Sequence, residues 1–374
     1  MPNMEEVDHS LRKQVDGETP TLHNATFYAF DKTGIIYTGS YGTRDVLGST
    51  PITPDSCFWI GSLTKLSTTI ATMIAVEKGL VTLDEDVRRI VPELADIEVL
   101  EGFDKNGVPR LRKCTSPITL RQLITHTSGF CYDKMHDGLQ KWSDFVGREI
   151  GTFAGSYAGV LHPLIFDPGQ GWAYGPGMDW AGRTIEIVAK QDLETFMRTH
   201  IWTPLGMDST TFRPWESPEL EAKIVEVGHR NPDGTLIKGQ VPLVLAMLRG
   251  GDPILTNESM DEILRPQLSN PSQFVEVVCG SRRAWLGQTW PEGSTGDFGL
   301  GSCINAQAFP GRRAANSANW QGMAGVHAWL DRTNGLGGVF FSQILPPGDK
   351  TITECFRACE EAVYAAALKK PSVE

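Results

Sequence analysis

The sequence predicts an α+β fold in which one antiparallel sheet is built from both ends of the chain and covered by helices. Near the amino terminus, two β-rich runs at 25–30 and 35–38 flank the polar turn 31–34, which is a hairpin pattern. Near the carboxyl terminus, two further apolar, β-rich runs occur at 326–330 and 338–344. Between these strand-rich ends the pattern is mainly helical, and such helices can bury the apolar side of the sheet.

A buried strand followed by a helix is predicted after the first hairpin. Residues 57–61 have the apolar, aromatic and β-branched composition of a strand that ends in a glycine turn. Apolar residues then recur at three- and four-residue spacing from Leu66 to Ile74, and Gly79 is a helix stop. A last helix is predicted at 352–368.

The middle of the chain, from about Pro92 to about Trp290, is predicted to consist mainly of helices and long loops. The helical candidates are 118–126, 179–190, 193–201, 241–248 and 258–264. With 374 residues, two domains are expected. We predict an α/β sandwich domain formed by 1–92 with 290–374 and a mainly helical domain at 93–289, with the active site in the cleft between them.

Composition and charge narrow the class of protein. Hydrophobic residues make up 40% and charged residues 21% of the chain, as is typical of a soluble globular protein. The net charge of −11 argues against nucleic acid or an anionic membrane as a partner. The segment Met1–Val15 lacks the apolar core of a secretory signal, and no apolar run is long enough to span a membrane. Seven cysteines, an odd number, favour free thiols, so a cytoplasmic location is expected.

The motifs predict neither a metal nor a cofactor. No cluster of His, Asp and Glu has the spacing of metal ligands, and no glycine-rich phosphate loop occurs. Cys355 and Cys359 belong to the apolar stripe of the terminal helix, which predicts small core residues rather than ligands. The Gly-x-Ser-x-Gly elbow of α/β-hydrolases is absent as well.

The strongest catalytic candidate is the motif Ser62-Leu63-Thr64-Lys65 at the start of the predicted helix. Residues three apart share a helix face, so Ser62 and Lys65 can meet. A serine hydroxyl is a weak nucleophile until a base takes its proton, and we expect a desolvated Lys65 to be neutral enough to help. At a helix start, unpaired backbone N–H groups lie beside any oxyanion that forms. The alternative is a capping serine with a solvated lysine.

A tyrosine in a tight turn before a helix is the second candidate. Tyr174 precedes a Gly-Pro-Gly run, so its phenol can be held rigidly in a cleft and relay a proton for the serine. The alternative is a turn tyrosine that packs against Trp172 and Trp180.

The third candidate is the glycine-rich segment Trp320-Gln321-Gly322-Met323-Ala324-Gly325, which leads into a predicted strand. Glycines at such a place let another backbone or a ligand approach closely. The N–H of Met323 can then supply a second oxyanion donor beside Ser62. The alternative is a plain glycine-rich loop that enters an edge strand.

Two histidines have simpler interpretations than catalysis. His126 lies in a turn, where it is expected to orient loop backbone through hydrogen bonds. His327 alternates along a predicted strand, so it can face the cleft or occupy an ordinary polar strand position.

The order and spacing of five motifs resemble the serine β-lactamase-like superfamily of class C β-lactamases, penicillin-binding proteins and β-lactamase-fold esterases. The motifs are 62–65, 118–129, Tyr174, 204–207 and 320–322. Within this superfamily the chain is most similar to the lovastatin-pathway acyltransferase branch and its esterase relatives. That likeness is carried by 99–104, 174–175 with 179–182, 229–231 and 233–234. The resemblance implies a β-lactamase-like fold, with an α/β sandwich and an all-α region.

The resemblance also implies roles for individual residues. Ser62 corresponds to the nucleophile that accepts the acyl group, and Lys65 and Tyr174 correspond to its proton-transfer partners. The N–H groups of Ser62 and Met323 correspond to the oxyanion hole. The residues expected to contact the substrate are Tyr132, Trp320, Gly322 and His327.

Two departures from the family pattern turn the expected site away from β-lactams. Pro176 stands where β-lactamases usually have an asparagine, and Trp320 stands where they use a lysine. Both changes remove polar groups that hold the carboxylate of a β-lactam, and Trp320 resembles the esterase branch. A glycine-rich segment usual in the family is also missing before the predicted helix at 241–248.

Together these observations predict a serine carboxylesterase that cleaves a small-molecule, polyketide or natural-product ester through an acyl-enzyme on Ser62. The ten tryptophans suit an apolar acyl ligand. The close alternative is an acyltransferase that moves the acyl group from a thioester to a natural-product alcohol, with an acyl-carrier partner. A non-catalytic ligand-binding protein would not need the intact trio of Ser62, Lys65 and Tyr174.

Overall fold

The computed structural model describes residues 4–16, 20–239 and 254–368 of the chain. The strands are β1 (Asn24–Asp31), β2 (Gly34–Gly42), β3 (Glu98–Phe103), β4 (Pro109–Lys113), β5 (Gly228–Arg230), β6 (Leu236–Lys238), β7 (Gly296–Phe298), β8 (Cys303–Asn305), β9 (Ala318–Gly322), β10 (Val326–Asp331), β11 (Leu336–Phe341) and β12 (Ile344–Leu345). Seven of them form an antiparallel sheet in the order β2-β1-β11-β10-β9-β8-β7. Because β1 pairs directly with β11, the prediction of a sheet built from both ends of the chain is confirmed.

The helices are α1 (Glu5–Val15), α2 (Thr64–Glu77), α3 (Leu120–Ile124), α4 (Asp137–Phe145), α5 (Tyr157–Val160), α6 (Gly177–Ala189), α7 (Leu193–Met197), α8 (Pro218–Glu221), α9 (Asn257–Leu264), α10 (Ser272–Val275), α11 (Arg283–Leu286) and α12 (Lys350–Ala367). Among the residues described, none of these helices combines the length and the apolar composition needed to cross a bilayer.

Helices α1 and α12 cover one face of the sheet. Phe27 of β1 stacks on Trp329 of β10 with 5.8 Å between ring centroids, and Phe356 of α12 packs edge-on against the same tryptophan. Gly338 of β11 leaves room for this ring, because a Cβ there would lie 2.2 Å from it. Burial of each phenylalanine contributes roughly 1.5–3 kcal/mol by removing apolar surface from water.

Helix α2, the helix predicted after Ser62, packs against α6 within the core of the middle segment. At their contact, Thr69 Oγ1 lies 4.0 Å from Met178 Sδ. The helix stops where predicted, since Gly79 just beyond its end adopts a φ of +67°. The packing of α2 on α6 brings the start of one helix next to the start of the other.

The strand predicted at 57–61 is wrong. Residues 57–60 are buried as expected, but they form an irregular segment, and Gly61 is the first residue of a 3₁₀ turn. Cys57 exchanges backbone hydrogen bonds with the loop 223–225, and both backbone groups of Trp59 bond to the amide side chain of Gln343. A loop and a side chain therefore satisfy the backbone groups that a neighbouring strand would otherwise bond.

The middle of the chain contains two short hairpins that the prediction of helices and loops missed. In the first, β3 and β4 are joined by a turn in which Asp104 Oδ1 accepts hydrogen bonds from the N–H groups of Asn106 and Val108. Such side-chain to backbone bonds stabilise a turn locally. In the second, β5 and β6 join β12 in a small three-stranded sheet.

The predicted helices at 179–190, 258–264 and 352–368 are confirmed as α6, α9 and α12. The helix predicted at 118–126 is shortened to α3, because a capping box at Thr119 delays its start. The helix predicted at 241–248, with the missing glycine-rich segment before it, lies outside the described residues. The division into two domains stays a prediction.

A buried charge cluster joins α12 to the loop before β9. Arg313 and Glu360 are completely buried, and Arg313 Nε lies 2.7 Å from Glu360 Oε1. Arg312 Nη2 lies 2.6 Å from the other carboxylate oxygen. Loss of the glutamate would leave two guanidinium groups buried without a countercharge, which is far more costly than loss of an exposed ion pair.

We therefore expect Glu360→Gln to lower the free energy of unfolding by about 3–5 kcal/mol, measured by urea denaturation. The matched control is Glu361→Gln, because the Glu361 carboxylate is about half exposed and lies 3.7 Å from Arg357. The control should change the free energy of unfolding by less than about 0.5 kcal/mol. Equal losses in the two variants would contradict the importance assigned to the buried cluster.

Candidate active site

Ser62 lies in a 3₁₀ turn, Gly61–Leu63, that leads directly into α2. Gly61 has a φ of +51°, and a Cβ on it would lie 3.2 Å from the backbone nitrogen of Met323. Gly322 is more tightly packed, since a Cβ there would lie 2.0 Å from the carbonyl oxygen just before the turn. These two glycines therefore allow the end of β9 and the serine turn to meet backbone against backbone.

Two side chains converge on the Ser62 hydroxyl. Lys65 Nζ, one turn further along, donates a hydrogen bond to Ser62 Oγ at 3.2 Å. The hydroxyl of Tyr174, which is 112 residues away in sequence, donates to the same oxygen at 2.6 Å. The structure thus brings the predicted trio within hydrogen-bond distance, which is close enough for a proton to pass between Ser62 and a partner once that partner has given up its own proton.

Backbone contacts hold Tyr174 just before α6. The N–H of Tyr132 donates to the Tyr174 carbonyl at 3.3 Å. The next residue, Gly175, lies so close to the neighbouring loop that a Cβ on it would be 2.4 Å from the carbonyl oxygen of Phe130. The phenol is consequently positioned by main-chain contacts as well as by its own packing.

Aromatic rings enclose the trio. Tyr132 and Trp320 pack edge-on against Tyr174, with ring centroids 5.3 Å and 5.4 Å away. Lys65 Nζ lies 5.1 Å from the centroid of the Tyr174 ring and 5.8 Å from that of Tyr132. The indole N–H of Trp320 donates to the Ser62 carbonyl at 3.1 Å, which fixes that ring beside the serine. The surroundings are therefore apolar walls with a few oriented polar groups, as in many ligand sites.

The electrostatics of the site differ from the expectation of a neutral lysine. Burial by itself lowers the pKa of Lys65. The oxygens of Tyr132 and Tyr174 and the carboxyl group of Asp179 outweigh burial, so the pKa of the lysine is raised. Lys65 is accordingly an ammonium at neutral pH, and its role toward Ser62 is that of a charged hydrogen-bond donor.

His327 does not join the trio, which corrects the expectation of a substrate contact. Val326 of β10 packs into the core that contains Trp320, whereas His327 points to the opposite face, where its ring stacks on Phe356 at 4.9 Å. Burial, together with nearby Arg313, lowers the pKa of His327 to about 3, so the ring is neutral. The alternation of side chains along a strand decides its direction.

His126 contacts the site without the hydrogen bonds that were expected of its ring. The ring packs edge-on against Tyr174 with 4.8 Å between centroids, and neither ring nitrogen has a partner within the described part of the chain. Only its backbone carbonyl bonds a loop, by accepting from the Ala173 N–H at 3.0 Å. Burial and then the charge of Lys65 lower the pKa of His126 well below its usual value, so it is neutral.

Two side chains beside the trio were missed by the sequence reasoning. Phe153 stacks on Tyr132 with 4.8 Å between centroids and stays 46% exposed. No periodic pattern marks it, because it stands in a loop. Asp179 lies in the first turn of α6 and interacts electrostatically with Lys65. An acidic residue in a first helical turn is ordinary, since it matches the helix dipole, and this hid its position near the lysine.

Comparison with known proteins shows the family to which the chain belongs. The Beta-lactamase family model matches residues 17–354. The chain is 30% identical to a monacolin J acid methylbutanoyltransferase of Aspergillus terreus, over 96% of this chain and 95% of that protein. It is 32% identical to a lovastatin esterase of Penicillium rubens, over 92% of this chain and 94% of that protein.

Among solved structures, the chain matches unliganded simvastatin synthase from Aspergillus terreus with a TM-score of 0.89 and 28% identity. The match covers 97% of this chain and 98% of that one. The predicted resemblance and the predicted β-lactamase-like fold are both confirmed. Because the family model, the curated relatives and the fold agree over nearly the whole length, the chain belongs to the β-lactamase family.

Proposed function

We propose that this protein is a serine carboxylesterase that cleaves a small-molecule ester through an acyl-enzyme on Ser62. The observation that carries the proposal is the pair of hydrogen bonds on one oxygen, from Lys65 at 3.2 Å and from Tyr174 at 2.6 Å. A serine that merely caps a helix would bond its own backbone and would not need two side chains from separate segments.

The first half of the reaction forms the acyl-enzyme. In the described state the Tyr174 hydroxyl donates to Ser62 Oγ, so Tyr174 must first release its own proton to solvent. Ser62 Oγ then bonds to the ester carbonyl carbon while the serine proton passes to the Tyr174 oxygen. The Lys65 ammonium donates a hydrogen bond to the same serine oxygen and holds it in place. When the tetrahedral intermediate collapses, the ester C–O bond breaks and the leaving alcohol takes the proton back from Tyr174. Water, deprotonated by the same tyrosine, then attacks the acyl carbon. The bond from the acyl carbon to Ser62 Oγ breaks, Ser62 takes the proton back from Tyr174, and the acid is released.

The oxyanion of each tetrahedral intermediate needs preorganised donors. The backbone N–H groups of Ser62 and Met323 are suited to this role, because the two segments touch at Gly61. Ser62 lies just before the start of α2, which adds the positive end of a helix dipole.

The substrate that suits this site is an apolar ester. Tyr132, Trp320 and the half-exposed Phe153 surround the trio with aromatic surface. Gly322 keeps the wall beside the serine free of any side chain. Relatives named for lovastatin and monacolin J support a polyketide or similar natural-product ester, and hence a role in secondary metabolism.

Acyl transfer to an alcohol is the second candidate, because one relative is named a methylbutanoyltransferase. The same acyl-enzyme would serve both reactions, and only the second nucleophile would differ. In that case the donor would be a thioester, which an acyl-carrier partner could present. Incubation with a nitrophenyl ester, with and without a natural-product alcohol, separates the two: a new ester of the alcohol indicates transfer, and free acid alone indicates hydrolysis.

A cytoplasmic location belongs to the same proposal. All seven cysteines are free in the structure, and six of them are buried. Free thiols are typical of proteins in a reducing compartment.

If Ser62 is the nucleophile, intact-mass spectrometry after exposure to a slow acyl donor should show a single covalent acyl adduct. Ser62→Ala should show none, because no hydroxyl remains to form the ester bond. Ser67→Ala, in the buried part of α2, is the matched control and should keep the adduct. An undiminished adduct in Ser62→Ala would rule out this assignment.

Replacement of Tyr174 by Phe should lower kcat by roughly 10²- to 10⁴-fold, the usual scale for loss of a general base. KM should change little, because the ring and its packing against Trp320 are kept. Tyr41→Phe is the control, since the Tyr41 hydroxyl bonds Asp8 of α1 rather than the site. If the Tyr174→Phe enzyme keeps most of its kcat, Tyr174 has a packing role only and does not transfer the proton.

Short nitrophenyl esters should be cleaved with a far larger kcat/KM than nitrocefin. The indole of Trp320 is held beside Ser62, and Pro176 is buried at the start of α6, so neither offers a charge to the carboxylate of a β-lactam. An unpaired carboxylate in an enclosed site costs several kcal/mol. Nitrocefin turnover that equals ester turnover and disappears in Ser62→Ala would identify a β-lactamase instead.

A further inference from the structure

Gln343 lies in the short connection between β11 and β12, and its side chain is completely buried. Its Oε1 accepts a hydrogen bond from the Trp59 N–H at 3.1 Å, and its Nε2 donates to the Trp59 carbonyl at 3.0 Å. The side-chain amide thus bonds Trp59 with one donor and one acceptor, as the backbone of a neighbouring strand would. Because Trp59 is three residues before Ser62, this pair of bonds holds the segment that leads into the serine turn.

The backbone on either side of Gln343 bonds the loop after β9. The N–H groups of the residues before and after Gln343 donate to the carbonyls of Gly325 and Ala324, respectively, each at 3.2 Å. These two carbonyls directly follow Met323, whose N–H is the second oxyanion donor in the proposed reaction. One three-residue stretch therefore bonds both of the segments that carry the oxyanion donors.

The two segments also contact each other. A Cβ on Gly61 would lie 3.2 Å from the Met323 nitrogen. The Trp59 side chain is buried in a small apolar cluster with Ala324, and Met323 packs against that cluster. The Gln343 carbonyl accepts from the N–H of residue 228 at 2.7 Å, which ties the connection to the small three-stranded sheet. The amide is thus held from several sides, and its bonds to Trp59 join a firmly placed strand connection to the serine turn.

We propose that Gln343 is a positioning residue whose side-chain amide sets the spacing between the N–H groups of Ser62 and Met323. It contacts neither the ester nor the reacting atoms and acts through Trp59. Oxyanion donors must lie within a few tenths of an ångström of the developing charge, and a shift of about 1 Å can cost roughly 10²-fold in rate. The catalytic consequence rests on the proposed function, whereas the joining of the two segments does not.

Gln343→Met tests the role of the amide, because it keeps the length of the side chain and removes both polar groups. For a short nitrophenyl ester, kcat should fall by roughly 10- to 100-fold while KM stays unchanged, since oxyanion donors act in the transition state. The more specific readout is the ratio of kcat/KM for the ester to that for the matching thionoester. Sulfur accepts hydrogen bonds weakly, so displaced donors should lower this ratio at least about fivefold. A wild-type ratio in Gln343→Met would overturn the proposal.

The matched control is Asn305→Leu. Asn305 is also a completely buried amide, but its Nδ2 donates to the carbonyls of Gln307 and Ala314, at 2.6 Å and 2.8 Å. The control should lower the melting temperature and leave the ester-to-thionoester ratio in place. An equal drop of the ratio in the control would show that it reports general destabilisation, which would overturn the proposal.

A second variant serves if Gln343→Met does not fold, as judged by its thermal transition. Gln343→Asn keeps the amide but is one methylene shorter, so it does not reach both backbone groups of Trp59. It should show the same fall in the ester-to-thionoester ratio. A wild-type ratio in Gln343→Asn would overturn the proposal.

Amide hydrogen exchange tests the same contact without catalysis. Well below the melting temperature, peptides covering 57–63 and 322–326 should exchange at least about tenfold faster in Gln343→Met than in the wild type, because their shared anchor is lost. They should stay slow in Asn305→Leu. Unchanged exchange in Gln343→Met would overturn the proposal. Faster exchange in a protein that forms no Ser62 adduct would support the joining of the two segments by Gln343 and contradict only the proposed function.

Discussion

The site depends on one constraint: a single oxygen, Ser62 Oγ, must meet two side chains that belong to separate parts of the chain. Lys65 lies close to Ser62 through local structure alone, because it is one helical turn further along the chain. Tyr174 reaches Ser62 only through tertiary packing. Helix α6 packs against α2, and a loop contact holds the residues before α6 in place. A displacement of about 1 Å between these segments would disrupt the hydrogen-bond geometry that the reaction needs. The packing of α2 on α6 therefore determines whether the site is active.

The seven-stranded sheet also positions the site. On one face, α12 and the buried cluster of Arg313 and Glu360 hold the central strands. On the other, β9 ends in Gly322, and the serine turn lies against it without an intervening side chain. Each glycine weakens its own segment slightly, because it loses more conformational freedom on folding than other residues. In return, the end of β9 and the serine turn come into direct backbone contact.

Few side chains in this site are charged, so each charge has a large effect on the protonation of its neighbours. The histidines that a motif search would select, His126 and His327, are both neutral, and they pack as aromatic rings. The cation is Lys65, and the carboxyl group of Asp179, in the first turn of α6, interacts with it electrostatically. Aromatic walls exclude much of the water that would screen these charges, so they affect each other's protonation across space. The same walls favour an apolar ligand over an anionic one.

The sequence by itself determined the hairpin, the helix after Ser62, the terminal helix and the pairing of Ser62 with Lys65. These features rest on local periodicity and on residues a few positions apart, which short-range rules describe. The tertiary structure alone decided which distant groups meet. The irregular segment at 57–61 looked like a strand because buried segments and buried strands share the same apolar composition. Its hydrogen-bond partners, however, are set by distant parts of the chain. Likewise, the direction of His327 and the position of Asp179 near Lys65 depend on how a sheet face and two helices pack, and local sequence does not encode that packing.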